Sequence, residues 1–221
     1  LELGAKSAFI TRPRLFDYIV TTDELDESAA ALFEVLASGA VKIDIFPGGQ
    51  LGNEGALIDQ TKLGAVDFAN SGASFLARDF AQLGISSLPY AFRDRDHAIA
   101  YASNPVLRGL MDEWEKASGQ TLLGAYYAGA FHIYAQDGFA TPDSLKGRKI
   151  RVPDAPSWMV FYKAVGANPT PMAYAEVYTG LQTGSIDGQD NPLPNVQNMK
   201  FYEVMSQIVL TSHLVGFDLL T

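Results

Sequence analysis

A guanidinium stays charged at any ordinary pH and presents a planar fork matched to both oxygens of a carboxylate. Arg151 stands near the end of Arg148-Lys149-Ile150-Arg151-Val152-Pro153, a run that reads as a short strand, and its fork is of the kind that can bind an acid. The competing reading is a surface ion pair with one of the nearby carboxylates, which would be worth little. Ser71, Gly72 and Ser74 form a small-residue cluster that lets backbone amides approach a ligand, or that serves as an ordinary loop. Trp158 and Phe161 sit at helical spacing, where the default role is core packing; Trp158 is the better cleft candidate of the two. Gln50 and Asn53 lie beside Gly48-Gly49, but no glycine-rich fingerprint followed by Lys-Ser/Thr is present, so a phosphate cradle is a weak reading.

Other groupings point away from chemistry. Asp94, Asp96 and His97 precede a helical pattern, where such charges ordinarily form a cap and a solvated face, and no metal site is expected there. His132 and His213 are far apart in the chain, no His-Glu-x-x-His motif occurs, and no Ser-His-Asp order stands out. With no cysteine, thiol chemistry is excluded. Neither catalysis, nor a metal, nor a cofactor is expected.

The elements that must hold these residues follow an α/β pattern, with short strand-like runs alternating with longer helical ones on a mostly parallel sheet. Residues 41–46 alternate apolar and polar side chains and stop at Pro47-Gly48-Gly49, which predicts a strand feeding a tight loop. A second strand is expected over 65–69, ending at Asn70-Ser71-Gly72. Asn104 caps a helix that Pro105 opens, that Leu107, Leu110, Met111 and Trp114 line, and that Gly119 closes. Strands are expected over 121–127 and 131–135, interrupted at Gly129. Residues 168–172 are extended because of Pro169 and Pro171; 176–183 are helical, 185–188 start a strand, a helix lies around 199–205 and a strand over 207–210. Within the first forty residues only an acidic-started helix over 24–37 is defensible, with 1–4 as a candidate opening strand.

The bulk numbers set limits. The 221 residues, 48% of them apolar, suffice for one large domain or two small lobes. Sixteen basic against twenty-five acidic side chains give a net charge of −9, the wrong sign for a phosphate backbone, so no nucleic-acid partner is expected. No run approaches the roughly 20 apolar residues that cross a bilayer, so the chain is not expected to insert in a membrane.

The ordered motifs Phe46-Pro47-Gly48-Gly49-Gln50-Leu51-Gly52, Leu88-Pro89-Tyr90, Gly147-Arg148-Lys149-Ile150-Arg151-Val152-Pro153, Gly166-Ala167-Asn168-Pro169-Thr170-Pro171-Met172, Leu181-Gln182-Thr183-Gly184 and Ile186-Asp187-Gly188-Gln189-Asp190-Asn191-Pro192 strongly resemble the dicarboxylate-type (DctP-like) solute-binding proteins of TRAP transporters. The likeness runs from about residue 40 to about 215. It implies a two-lobed clamp of the type II periplasmic-binding kind, its lobes hinged and closing over a small organic acid. Residues 1–128, with a return strand near 215–221, would form the first lobe, and 129–214 the second.

The resemblance also implies roles. Arg151 would bind the carboxylate and Asn191, otherwise a plain turn residue, would hydrogen-bond the ligand. Tyr174, otherwise a core aromatic, would lie against the bound acid. Family members tend to carry a second arginine where this chain has Phe131, with His132 a substitute only if it faces the cleft; a monoacid with a hydroxylated or apolar body is therefore favoured over a dianion. The implied partners are the ligand and the membrane permease subunits, with the binding protein a periplasmic monomer freed of its signal peptide. The closing helices of such clamps are missing from the pattern and residues 1–40 match it poorly, which reads as a fragment or as an unreliable N-terminal sequence. A sensor domain of the same fold and a small α/β enzyme are the alternatives.

Overall fold

The computed structural model describes residues 34, 37–39 and 42–221. Two compact units emerge, Leu1–Ile45 and Phe46–Thr221, and the elements described below belong to the second. The strand expected at 1–4 and most of the helix expected over 24–37 lie outside the described residues.

In chain order the second unit contains α1 (Glu54–Lys62), β1 (Asn70–Gly72), α2 (Ala73–Leu76), α3 (Arg95–Ala102), α4 (Pro105–Ser118), β2 (Gly124–Ala135), β3 (Lys149–Val152), α5 (Pro156–Ala164), β4 (Asn168–Pro171), α6 (Val177–Thr183), β5 (Gly188–Asn191), α7 (Leu193–Asn198) and β6 (Gln207–Leu220). The strands form one six-stranded sheet in the order β1-β6-β2-β5-β3-β4. It is mixed: β3 pairs in parallel with β4 and β5, whereas β6 pairs antiparallel with β1 and β2, and β2 with β5. The prolines of β4 are tolerated because that strand is an edge of the sheet.

Helix α4 follows its sequence signals closely. The Asn104 Oδ1 accepts the Val106 N–H at 2.9 Å, Gly119 adopts a left-handed φ of 75°, and Leu107, Met111 and Trp114 are buried along one side. Other expectations need correction. Residues 42–47 carry no strand, despite their alternation. Nor do 65–69: the strand starts at Asn70, and its ladder is prolonged by paired bonds between Ala69 and Thr221, at 3.0 and 2.9 Å. A strand begins where a partner lies, and here the partner is the far end of β6.

The break expected at Gly129 is instead a bulge within one continuous strand, with register shifts between Tyr127 and Gly129 and again between Phe131 and Ile133. Gly129 has a φ of 134°, and a Cβ there would stand 2.7 Å from the Pro192 Cβ, so only glycine fits. The helix expected around 199–205 lies earlier, at α7, started by Pro192 and Pro194; Lys200, at a φ of 55°, stops it before a single 3-10 turn at Phe201–Glu203.

Two apolar cores occupy opposite ends of the long β2/β6 pair. One gathers Ile58, Leu76, Leu83, Leu107, Met111 and Trp114 around Leu122 and Leu219. The other gathers Ile150, Val152, Trp158 and Tyr162 around Ile133, Ala135 and Leu214.

Candidate functional site

Strand β3 buries Ile150 and Val152 in the second core, and alternation sends Arg151 to the other face, where it is only 3% exposed. Its Nε donates to the Met172 carbonyl at 3.0 Å, and its guanidinium carbon lies 6.0 Å from the centroid of the Tyr174 ring. Among the described residues, no carboxylate lies within ion-pairing distance and the terminal nitrogens make no hydrogen bond. Burial lowers its pKa, while Asp190 and then Glu54 pull the other way; a guanidinium remains charged nonetheless. The surface ion pair considered from sequence does not describe this side chain, because Arg151 is interior.

Arg151 borders two cavities, of about 1160 and 410 Å³. The smaller falls within the usual range for a small-ligand site, and polar groups converge on it. Eight of the ten residues singled out from sequence border it: Arg151, Asn191 and Tyr174 from the strand ends, Phe131 and Trp158 as an apolar wall, and Ser71, Gly72 and Ser74 from the opposite side. Gln50 and His132 border neither cavity. Gln50 is exposed in the turn over 48–50, while Asn53 borders the larger cavity and caps α1 by accepting the Ala56 N–H at 2.9 Å. The His132 Nδ1 accepts the Ser212 N–H at 3.2 Å, and burial together with His213 lowers its pKa.

Several of the bordering residues are held by their neighbours. The Asn191 amide donates to Gln189 Oε1, and its Oδ1 accepts from Asn195 Nδ2 at 3.4 Å. The Tyr174 hydroxyl donates to the Asn195 carbonyl at 3.5 Å, and its ring meets Phe201 edge-on. The Trp158 indole N–H donates to Ser74 Oγ at 2.9 Å, and its ring lies 5.0 Å from that of Phe131. Gly216 makes room for Phe131, since a Cβ there would sit 2.5 Å from the phenyl edge. Ser71 is 2% exposed and its hydroxyl has no hydrogen-bond partner among the described residues; strand alternation turns it toward the same face as its cross-strand partner Leu219.

Sequence reasoning missed Glu54, which borders both cavities, and Asp218, Tyr126 and Asn195, which border the smaller one. It also missed a buried pair: His213 Nε2 lies 3.0 Å from Asp190 Oδ2, with both side chains almost wholly enclosed. Thr211 Oγ1 meets His213 Nδ1 at 2.8 Å, and Phe161 stacks on the imidazole at 4.8 Å. Hydroxyl, imidazole and carboxylate thus line up, but Thr211, His213 and Asp190 border neither cavity, and the imidazole and carboxylate are buried. Burial, then Asp190, holds the Tyr162 phenol well above its ordinary pKa. Asp94 caps α3 by accepting the His97 N–H at 2.7 Å.

The sequence profile of the family described as bacterial extracellular solute-binding protein, family 7, matches residues 20–220. The sialic acid-binding periplasmic protein SiaP of Vibrio cholerae is 33% identical over 187 residues, 85% of this chain and 58% of that protein. Two solved structures are similar. A TRAP periplasmic solute-binding protein from Xanthobacter autotrophicus with bound β-D-galacturonate matches with a TM-score of 0.78 and 34% identity, over 90% of this chain and 64% of the other. Another from Roseobacter denitrificans, with bound L-galactonate, matches with a TM-score of 0.79 and 32% identity, over 84% and 62%. The chain thus spans less than two thirds of the length of these relatives.

Proposed function

Since this chain belongs to family 7 of the bacterial extracellular solute-binding proteins, we propose that it captures a polyhydroxylated monocarboxylic acid, of the uronic or aldonic kind, for a TRAP transporter. The observation that carries the reading is Arg151: a buried guanidinium whose terminal nitrogens bond to none of the described residues, beside Asn191 and Tyr174, on the wall of a cavity sized for a small molecule. A ligand carboxylate on that fork supplies the counter-charge that the described residues withhold. Asn191 and Tyr174 add directional polar contact, and Phe131 with Trp158 faces the carbon skeleton. The relatives carrying galacturonate and galactonate support the ligand class.

Closure is by hinge. The lobes are 1–128 with the return segment near 215–221, and 129–214, and the crossing strands β2 and β6 carry the bend near Gly129 and Ser212, both at positive φ. Separate apolar cores at the two ends of those strands support this division. A bound acid touching both ends favours the closed form by the contacts it makes only there. The protein works in the periplasm as a single copy, its signal peptide removed, and hands the acid to membrane permease subunits. Among the described residues no helix is long and apolar enough to cross a membrane.

A thermal-shift screen against organic acids tests the reading: a true ligand at a hundred times its dissociation constant adds about 2.7 kcal/mol. Uronates and aldonates should raise the melting temperature, and the ligand should be recovered unaltered. A screen in which no carboxylate shifts the transition defeats it.

A further inference from the structure

We propose that Asp218, with Glu54 nearby, forms an acidic pole of the smaller cavity that accepts hydrogen bonds from ligand hydroxyls and turns away a second carboxylate. This rests on the reading that Arg151 holds the ligand's carboxylate, and it assigns the other end of the same ligand.

Asp218 lies on β6 between two neighbours, opposite Tyr126 of β2 and Gly72 of β1. Its Oδ2 accepts from the Tyr126 hydroxyl at 3.3 Å and from Asn70 Nδ2 at 3.4 Å. Its Oδ1 accepts no hydrogen bond among the described residues, and it lies 3.8 Å from where a Cβ on Gly72 would stand, so glycine leaves the carboxylate uncovered on that side. Burial holds the Asp218 carboxyl above its ordinary pKa, against the hydrogen bonds from Asn70 and Tyr126. Glu54 borders the same cavity and acts electrostatically on both Arg151 and Asp218.

Among the described residues bordering this cavity, Arg151 is the one cation, against the two carboxylates of Glu54 and Asp218. An ionised carboxylate offers acceptors alone, so its complement is a donor. A hydroxyl supplies one without adding charge, whereas a second ligand carboxylate would place like charges together in a partly desolvated space. Phe131, packed on Trp158, adds no counter-charge.

The test is calorimetric titration of wild type, Asp218→Asn, Tyr126→Phe and Arg151→Ala with two probes sharing one open carbon chain: L-galactonate, which ends in a hydroxyl, and galactarate, which ends in a second carboxylate. Wild type should prefer L-galactonate by at least about tenfold, and Asp218→Asn should weaken L-galactonate by about ten- to hundredfold, the worth of charge-assisted hydrogen bonds, without weakening galactarate. Tyr126→Phe, which releases Oδ2, should fall between. Melting temperatures no lower than needed for a folded protein at the assay temperature, with wild-type circular dichroism, exclude misfolding. An equal effect of Asp218→Asn on both probes, no effect on either, or a wild type that prefers galactarate or takes neither acid overturns the proposal. Arg151→Ala separates the two readings: unchanged binding there defeats the carboxylate assignment, while the Asp218→Asn switch in preference is read independently.

Discussion

Trp158 donates its indole N–H to Ser74 Oγ across 2.9 Å, a buried bond that joins helix α5 to helix α2, which pack against opposite cores. Neither group has a second partner of comparable geometry among the described residues. Ser74→Ala should therefore leave a buried donor unsatisfied and cost about 1–3 kcal/mol. Urea unfolding should show a lower midpoint at an unchanged m-value. An unshifted midpoint would mean that the contact contributes nothing in solution.

Arg151→Ala should weaken acid binding by several kcal/mol, roughly a thousandfold, because the ligand carboxylate would be buried without its counter-ion. The melting temperature of the ligand-free protein should hardly move, since the guanidinium has no ionic partner among the described residues to lose. Arg151→Lys should not restore affinity, for an ammonium offers no planar fork. Calorimetric titration paired with a melting curve reads both. Tight binding by the alanine variant would mean that the carboxylate sits elsewhere.

Asp218 should impose a pH-dependent stability cost. Burial raises its folded pKa above the ordinary value of 3.8. Below that value both states keep the proton; as pH rises toward the folded value, the unfolded chain releases its proton first, and stability is lost. Asp218→Asn escapes this penalty, so its melting temperature should gain on wild type from acidic toward neutral pH and then level off. A gap that is constant with pH would contradict the assignment.

Gly129→Ala should destabilise the fold by about 1–3 kcal/mol, the cost of a strained backbone conformation. The added Cβ meets Pro192 at 2.7 Å, immediately after Asn191, so ligand affinity should fall as well. Chemical denaturation and titration on the same preparation check the pair. A loss of stability with full affinity would show that the bulge does not position Asn191.

Much of the site was legible from sequence because its parts are local. Arg151 on a short strand, Asn191 before a proline, Tyr174 after a proline-rich run and Trp158 on a helix each carry their signal within a few residues, and all four border one cavity. The resemblance, too, rests on motifs of that size. Helix α4 was equally readable, since cap, opening proline, apolar face and terminal glycine all lie within its own length.

What escaped was whatever depends on a partner distant in the chain. Alternation over 41–46 promised a strand, but alternation names faces and cannot name the neighbour that completes a ladder. Asp218 reads as one acid near the end of a run; it joins the cavity only because β6 lies between β1 and β2, bringing Asn70, Gly72 and Tyr126 around it. His213 and Asp190 likewise meet through the packing of β5 and β6 on either side of β2. The amino-acid order by itself determined which residues can bear charge, cap a helix or turn the chain, since those are properties of short segments. Tertiary structure alone decided which charges share a cavity and which are sealed from it, since strand register and burial are set by contacts spanning the whole chain.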